Sequence, residues 1–168
     1  CEPYIMSSMD SIVSLKYSSV DEVPDGATIA VANDDSNLSV NLEDLQELGW
    51  IKLKDIPEDS YYTLFDIEEN KKNLNFLEVD MSSRAAALQD EADLAMIFYT
   101  NTGAAKYGYH LLKIFDENIA YPQVVAVWDE DKDSQWVKDL MKAFTSDEQV
   151  ERINEKNQPD VCWKILFE

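Results

Sequence analysis

The pattern of hydrophobic and polar residues alternates between strand-like and helix-like segments along the chain. Residues 11–18 alternate apolar with polar side chains, and residues 27–32 form a short apolar run with β-branched members, so both segments are predicted to be strands. Leucines then recur at helical spacing, at Leu38, Leu42, Leu45 and Leu48. Gly49 follows them as a residue typical of helix ends. These segments predict a strand, a loop and a helix in succession.

Strands and helices continue to alternate in the rest of the chain. Further strands are predicted at residues 74–79, 94–99, 124–128 and 161–167. Helices are predicted at residues 84–89, 103–114 and 136–144, and directly after Ser146. Ser82 or Ser83 is expected to cap the first of these helices, and Ser146 with Gln149 makes a capping box for the last. This alternation predicts an α/β fold with parallel strand pairs.

The charge balance restricts the classes of partner. The 168 residues include 14 basic and 34 acidic ones, which gives a formal net charge of -20. Such a field repels phosphate backbones and anionic lipid surfaces, so we expect no nucleic-acid partner. No apolar run reaches the roughly 20 residues that a membrane-spanning helix needs. No signal-peptide pattern is visible in the sequence either.

The two cysteines, Cys1 and Cys162, allow three interpretations. Cys1 is either a lipid-anchoring cysteine exposed by cleavage of a signal peptide or an incidental first residue. A disulfide between Cys1 and Cys162 is the third interpretation, and the sequence alone does not test its geometry.

Residues that support catalysis or metal binding are scarce. His110 is the single histidine, and we expect it to be a structural or solvent-facing residue on a helix. One histidine and two distant cysteines do not make a zinc ligand set. The four glycines form no phosphate-binding loop, and the acidic run at residues 129–133 lacks the glycine and final glutamate of a calcium loop. We therefore predict that the protein is not an enzyme and holds no metal or cofactor.

Polar residues typical of a ligand site follow two of the predicted strands. Asn33, Asp34, Ser36 and Asn37 lie directly after the strand at residues 27–32, where a helix begins. Ligands of open α/β sheets bind in the crevice at the carboxyl ends of the strands. Arg84 begins a helix after another strand and is suited to bind a carboxylate. The alternatives are plain helix capping for the Asn/Asp/Ser cluster and a surface salt bridge for Arg84.

Five segments of the chain have a distinctive sequence: residues 19–37, which read SVDEVPDGATIAVANDDSN, and residues 48–55, 66–74, 130–133 and 144–148. In this order they resemble segments of the NlpA/MetQ lipoprotein family, the methionine-binding components of ABC importers. The family pattern similar to residues 19–37 is slDelPdGAtIaipNDpsN. The resemblance covers the chain from about residue 19 to residue 155.

This resemblance implies a periplasmic-binding-protein-like fold of type II, in which two α/β lobes are joined by crossover strands and the ligand lies between them. Residues 19–122 would form the second lobe, a three-layer α/β/α domain. Residues 1–18 and 123–168 would supply crossover strands and C-terminal helices that belong to the remnant of the first lobe. Most of the first lobe is absent from the printed sequence, as expected for a fragment, an engineered excision or a naturally shortened relative.

The resemblance also implies residues for the ligand site. Arg84 matches the arginine that binds the amino-acid carboxylate, and Asn33, Asn37 and Asn101 are expected to orient polar groups of the ligand. Tyr99 or Phe98 is expected to pack on the ligand side chain. The chain departs from the family pattern at residues 38–42, at residues 98–103 and near Gln123, so the ligand is predicted to be methionine-like or a related small carboxylate.

These features predict an extracytoplasmic solute-binding component of an ABC importer, with the transporter permease as its protein partner. If Cys1 is the lipid anchor, the protein is attached to the cell membrane. The alternative is a scaffold or protein-interaction module that has lost its ligand and forms a homodimer through an exposed interlobe face. Binding of an amino acid would distinguish the two hypotheses.

Overall fold

The computed structural model describes residues 5–98, 101–115, 122–158 and 163–167, and these residues fall into two compact units. The central unit spans Asp10–Phe115. The flanking unit consists of the described residues before and after it. The lobe boundaries predicted at residues 19 and 122 stay a prediction.

Nine strands, five α-helices and two short 3-10 helices, Val20–Glu22 and Leu64–Asp66, occur within the described residues. The strands are β1 (Met6–Ser8), β2 (Ser11–Ser14), β3 (Thr28–Ala32), β4 (Ile51–Leu53), β5 (Ile67–Asn70), β6 (Asn75–Val79), β7 (Leu94–Met96), β8 (His110–Ile114) and β9 (Trp163–Ile165). The helices are α1 (Asp35–Glu47), α2 (Met81–Ala87), α3 (Asn101–Lys106), α4 (Gln135–Phe144) and α5 (Asp147–Lys156).

The central unit is built on a mixed five-stranded sheet in the order β6-β3-β7-β2-β8. β3 pairs in parallel with β6 and with β7, as the alternating pattern predicts. β2 is antiparallel to both β7 and β8. The sheet therefore has a parallel half, where strands alternate with helices, and an antiparallel half formed by the first and last strands of the unit.

Helices cover both faces of this sheet, which gives the central unit the predicted three-layer α/β/α arrangement. Leu42 and Leu45 of α1 pack on one face with Ile29 and Val31 of β3. On the other face, residues of α2 and α3 pack against small side chains of the sheet, and this second cluster is Val13, Ala30, Ala87, Leu88, Ala92, Ala95, Ile97 and Ala104. Alternate residues of β3 thus contribute to opposite cores, as the pleat of a strand requires.

Helix α1 forms because its sequence supplies a cap, an apolar stripe and a stop. Asp34 is the N-cap, and its carboxylate accepts a hydrogen bond from the backbone N–H of Asn37. Leu42 and Leu45 are fully buried. Gly49 lies just beyond the helix at φ +72°, a conformation that favours glycine, so the predicted helix end is confirmed.

Helix α1 also buries three polar residues, Ser39, Asn41 and Asp44. One carboxylate oxygen of Asp44, Oδ2, has no hydrogen-bond partner among the described residues. Burial raises the pKa of Asp44 to about 8, and the negative charges of Asp10, Glu47 and Glu43 act in the same direction. Asp44 is therefore mostly protonated at pH 7.

Two elements differ from the prediction for the second half of the central unit. The helix predicted at residues 103–114 ends at Lys106, and Gly108, at φ +75°, turns the chain into β8. His110 is accordingly an exposed residue at the start of a strand rather than on a helix. The cap of α2 is Asp80, whose carboxylate accepts the N–H groups of both Ser82 and Ser83, so the prediction of a serine cap is wrong.

The flanking unit contains the antiparallel pair β1–β9 and the helices α4 and α5. Ser146 caps α5 and accepts a hydrogen bond from the backbone N–H of Gln149, as its capping-box pattern predicts. The strand predicted at residues 124–128 is not formed: only Gln123 makes an isolated bridge, to Met6, and Trp128 is 79 % exposed. An apolar run becomes a strand only where a second strand pairs with it. In the part of the chain that is described, no helix is long and apolar enough to span a bilayer.

The packing of α1 on the sheet predicts the effect of a core truncation. Leu42→Ala should lower the free energy of unfolding by about 2–5 kcal/mol, because it leaves a cavity under a fully buried side chain. Urea unfolding monitored by circular dichroism measures the change. Glu47→Ala, on the exposed side of the same helix, is the matched control and should change stability by no more than about 1 kcal/mol. Equal losses in the two variants would contradict this account of the core.

Burial of Asp44 predicts a pH dependence of stability. Because the folded-state pKa is raised to about 8, the folded protein binds more protons than the unfolded chain between about pH 4 and pH 8. Asp44 therefore makes stability fall as the pH rises through this range, by up to about 1.4 kcal/mol per pH unit. Asp44→Asn should flatten this decline in urea-unfolding curves measured from pH 5 to pH 8. Glu47→Gln is the control, and an unchanged slope in Asp44→Asn would refute the prediction.

Candidate functional site

The candidate site lies where the three parallel strands of the central unit end. β6, β3 and β7 run in the same direction, so their carboxyl ends meet at one edge of the sheet. Asp34 follows β3 and caps α1, and Asp80 follows β6 and caps α2. In open α/β sheets this edge is where ligands bind. The structure therefore brings the polar residues after β3 and the helix that carries Arg84 to one place.

Arg84 is the largest fully buried side chain of the described residues, with 0 % of its surface exposed. Its Nη1 donates a hydrogen bond of 3.0 Å to the backbone carbonyl oxygen of Met96, at the end of β7. The other edge of the guanidinium, formed by Nε and Nη2, has no hydrogen-bond partner among the described residues. The alternative of a surface salt bridge for Arg84 is wrong, because the side chain is buried and two of its three nitrogens are unpaired.

The charge of Arg84 is balanced by carboxylates that surround it without hydrogen-bonding to it. Burial lowers the pKa of Arg84, and the charges of Asp10, Asp34 and Asp80 act in the opposite direction. Hydrogen bonds from Ser82 and its neighbour Ser83 hold the pKa of Asp80 below its usual range. At neutral pH the guanidinium is charged. An anion at its unpaired edge would therefore interact with a full positive charge and accept hydrogen bonds from two N–H groups.

Asp10 is the one buried carboxylate of this group. It lies just before β2, is 3 % exposed, and accepts hydrogen bonds from the N–H of Ser11 at 2.8 Å and from Asn41 Nδ2 at 2.5 Å. Burial raises the pKa of Asp10 to about 6, against the effects of the Ser11 N–H, the Arg84 charge and the Asn41 amide. Asn41 in turn accepts a hydrogen bond from the N–H of Ala32, which fixes it to the end of β3. Asp10 is thus held rigidly by these hydrogen bonds, and with a pKa of about 6 it is mostly ionised at neutral pH.

The asparagines predicted to contact a ligand after β3 differ in their environment. Asn33 is exposed and lies directly between β3 and the cap of α1. Asn37 lies in the first turn of α1, and its Nδ2 donates to both carboxylate oxygens of Asp34, at 2.9 and 3.1 Å. These bonds, with those from Ser36, outweigh the effect of burial and hold the pKa of Asp34 below its usual range. The capping interpretation therefore accounts for Asn37, whereas Asn33 remains available.

The remaining predicted residues are only partly described. Asn101 is the first residue of α3, at the edge where β7 ends, and no orientation of its side chain is described. Phe98 is partly buried. Tyr99, Cys1 and Cys162 lie outside the described residues. Their predicted roles in the ligand site, the lipid anchor and the disulfide stay predictions.

Sequence reasoning missed Asp10, the buried carboxylate that acts on Arg84, and two buried polar residues of α1 that interact with Asp10, namely Asn41 and Asp44. A signal was present for the two helical ones. Asn41 and Asp44 fall on the same face of α1 as the leucine stripe, at positions three and six residues after Leu38. Polar residues within an apolar stripe are buried unless the helix turns that face to solvent. Asp10 carried no such signal, because it precedes the strand pattern.

The described residues offer neither a metal site nor a second buried, unpaired donor in a cavity. No group of three His, Cys, Asp or Glu side chains among them is arranged to hold a metal ion. The flanking unit has a cavity of about 290 Å³, lined by Met6, Gln149, Arg152, Ile153, Lys156 and Trp163. Arg152 at its rim is already paired with Glu148, at 3.1 Å. This cavity offers no buried unpaired donor comparable with Arg84.

Comparison with known proteins identifies relatives of the chain. A family model described as NlpA lipoprotein matches residues 8–163. The D-methionine-binding lipoprotein MetQ of Escherichia coli strain K12 is 34 % identical over 149 residues, a match that covers 84 % of this chain and 53 % of that protein. The chain thus spans about half the length of the curated relatives it matches.

Solved structures show the same relationship. A nutrient-binding protein from Burkholderia cenocepacia bound to methionine superposes with a TM-score of 0.80 at 32 % identity, covering 98 % of this chain and 68 % of that one. The substrate-binding protein of a methionine transporter from Streptococcus pneumoniae superposes with a TM-score of 0.71 at 26 % identity, covering 98 % and 66 %. These likenesses confirm the periplasmic-binding-protein fold of type II. The chain belongs to the NlpA lipoprotein family.

Proposed function

We propose that this chain is the ligand-holding part of an extracytoplasmic solute-binding protein of an ABC importer, and that its ligand is methionine or a closely related amino acid. Relatives named for methionine binding support the ligand class, and they match this chain over most of its length. The observation that carries the proposal is the buried, half-unpaired guanidinium of Arg84 at the ligand edge of the sheet.

The geometry of Arg84 suits a carboxylate. Nε and Nη2 lie on the same edge of the planar guanidinium and donate in parallel, which matches the two oxygens of a carboxylate. Nη1 donates a hydrogen bond to the Met96 carbonyl, so the plane of the guanidinium is fixed before a ligand binds. A preorganised donor pair loses little conformational entropy on binding. Arg84 is thus an anchor for the α-carboxylate of an amino acid.

Other parts of the ligand would be bound by residues around Arg84. Asn33 and Asn101, which follow β3 and β7, orient polar groups such as the α-amino group, and Tyr99 packs on the side chain. Asn37 acts indirectly, since it holds the Asp34 carboxylate near Arg84. The guanidinium is completely covered by the surrounding protein, so residues around it must move for a ligand to enter. A binding protein that opens and closes on its ligand does this.

Capture and delivery of a solute also account for the lack of catalytic groups. The matched family is one of binding lipoproteins, and we propose that this chain catalyses no reaction and uses no cofactor. Its protein partner is the transporter permease, as for a substrate-binding protein of a methionine transporter. The whole protein acts outside the cytoplasm, as expected for a member of a lipoprotein family. Homodimerisation through an exposed interlobe face is a separate prediction.

Removal of Arg84 tests the proposal. Arg84→Ala should weaken binding of L-methionine or D-methionine by roughly 30-fold or more, because a charged hydrogen-bond pair contributes about 2–3 kcal/mol. Isothermal titration calorimetry measures the dissociation constants, and circular dichroism confirms that each variant is folded.

The other arginine of the chain supplies a matched control. Arg152→Ala removes an equal charge from an exposed ion pair in the flanking unit and should leave binding unchanged. Two results would contradict the proposal: no binding of any of the twenty amino acids by the wild-type chain, or binding that Arg84→Ala leaves intact.

A further inference from the structure

Asp10 has features that holding a ligand carboxylate does not by itself explain. It is buried within the central unit, and both of its carboxylate oxygens are bound, Oδ1 by the Ser11 N–H and Oδ2 by Asn41. Its own carbonyl oxygen accepts the N–H of Phe115 at 2.9 Å, so the backbone at Asp10 is also fixed. A carboxylate held in this way responds to a new charge by changing its protonation, since it cannot move away.

The electrostatic partners of this group come from every element packed around it. Asp10 lies beside the residues that hold Arg84, because its neighbour Ser11 is hydrogen-bonded to Ile97, which directly follows the Met96 carbonyl to which Arg84 donates. The charges of Asp10 and Arg84 each shift the pKa of the other, and the charges of Asp34 and Asp80 also act on Arg84. On α1, the pKa of Asp44 is raised by the negative charges of Asp10, Glu47 and Glu43 and lowered by the positive charge of Lys113. Asp34 and Asp80 are exposed and stabilised as anions by hydrogen bonds. Asp10 is therefore the group around Arg84 that a change in local charge converts most easily.

A ligand carboxylate on Arg84 adds one negative charge beside this cluster. Two anions then share one buried cation, and the free energy of keeping Asp10 ionised rises because nearby like charges repel in a medium of low dielectric constant. A proton from solvent that adds to a carboxylate oxygen of Asp10 restores the original net charge. The hydrogen bonds from Ser11 and Asn41 keep the protonated side chain in place.

We propose that Asp10 is a positioning residue for Arg84, and that binding of a carboxylate ligand to Arg84 is accompanied by uptake of one proton at Asp10. The inference rests on the proposed function, because it concerns the same arginine and the same class of ligand. It makes ligand affinity dependent on pH in a range where a free amino acid keeps the same charge.

The sign of the dependence follows from the two protonation states of Asp10. Binding raises the pKa of Asp10 from its ligand-free value of about 6. Below this pH Asp10 is protonated with or without ligand, so affinity is constant. Above it, each binding event takes up a proton, and affinity falls with rising pH by up to about tenfold per unit until the pKa of the complex is reached. The ligand is thus bound more tightly in mildly acidic solution.

Calorimetry with L-methionine tests the proton uptake on the unmodified chain. Titrations at pH 7.5 in two buffers of different ionisation enthalpy should show more than about 0.5 proton taken up per ligand bound. A second series from pH 5 to pH 8 should show constant affinity up to about pH 6 and a decline above it. Binding without proton uptake overturns the inference but leaves the proposed function intact.

The variant Asp10→Asn removes the charge of the side chain and keeps its shape, so it distinguishes an electrostatic role of Asp10 from a structural one. The variant mimics the protonated side chain, so its affinity for L-methionine should be independent of pH from 6 to 8 and should exceed that of the wild type at pH 8 by up to about tenfold. A purely structural role of Asp10 predicts weaker binding at every pH. Asp44→Asn is the matched control for a second buried carboxylate and should keep the pH dependence. If Asp44→Asn abolished the dependence instead, the assignment to Asp10 would be wrong.

If the chain does not bind methionine, the proposed function is contradicted. The coupling between Asp10 and Arg84 can then still be tested by a measurement that needs no ligand. Carbon-13 NMR titration of the Asp10 carboxyl should give a midpoint near pH 6 in the wild type and a higher midpoint in Arg84→Met, because the cation that favours the ionised form is gone. An identical midpoint in the two proteins shows that Asp10 and Arg84 are not coupled, and it overturns the inference.

Discussion

The buried, charged guanidinium of Arg84 constrains the rest of the central unit, because the residues around it must compensate its charge. Burying such a charge costs several kcal/mol unless dipoles and counter-charges compensate. Here the Met96 carbonyl binds one nitrogen of Arg84, and carboxylates at the ends of β3 and β6 supply negative potential. The same carboxylates cap α1 and α2. The residues that start the helices therefore add to the effect of Asp10 in stabilising the charge of Arg84.

Much of the parallel half of the fold could be predicted from the sequence, because β3 and β7 are buried along almost their whole length and the partly exposed β6 still carries apolar side chains. Short apolar runs predicted the strands β3, β6 and β7, and leucines at helical spacing predicted α1. The hairpin of β4 and β5 could not be found in this way, since β5 is partly exposed and carries two glutamates. The strand predicted at residues 124–128 was wrong for the opposite reason. The run is apolar, but an apolar run forms a strand only when a neighbouring strand pairs with it.

The candidate site was predictable as far as Arg84, because a lone arginine after a strand stands out in a chain that is strongly acidic. The carboxylates around it were not predictable for the same reason. With 34 acidic residues, no spacing distinguishes Asp10 from those that merely face solvent. Which carboxylate is buried depends on how β2 joins the sheet, antiparallel to β7. That pairing connects residues far apart in sequence and leaves no local pattern.

The chain enters and leaves the central unit on neighbouring strands. β2 and β8 are hydrogen-bonded to each other, and the N–H of Phe115 donates to the carbonyl of Asp10, so the two ends of the unit are in direct contact. A domain whose ends meet can be inserted into a host protein or circularly permuted without stretching its sheet. This arrangement makes the central unit a transferable module: a short linker would join its two ends, and the unit could be inserted into a loop of another protein.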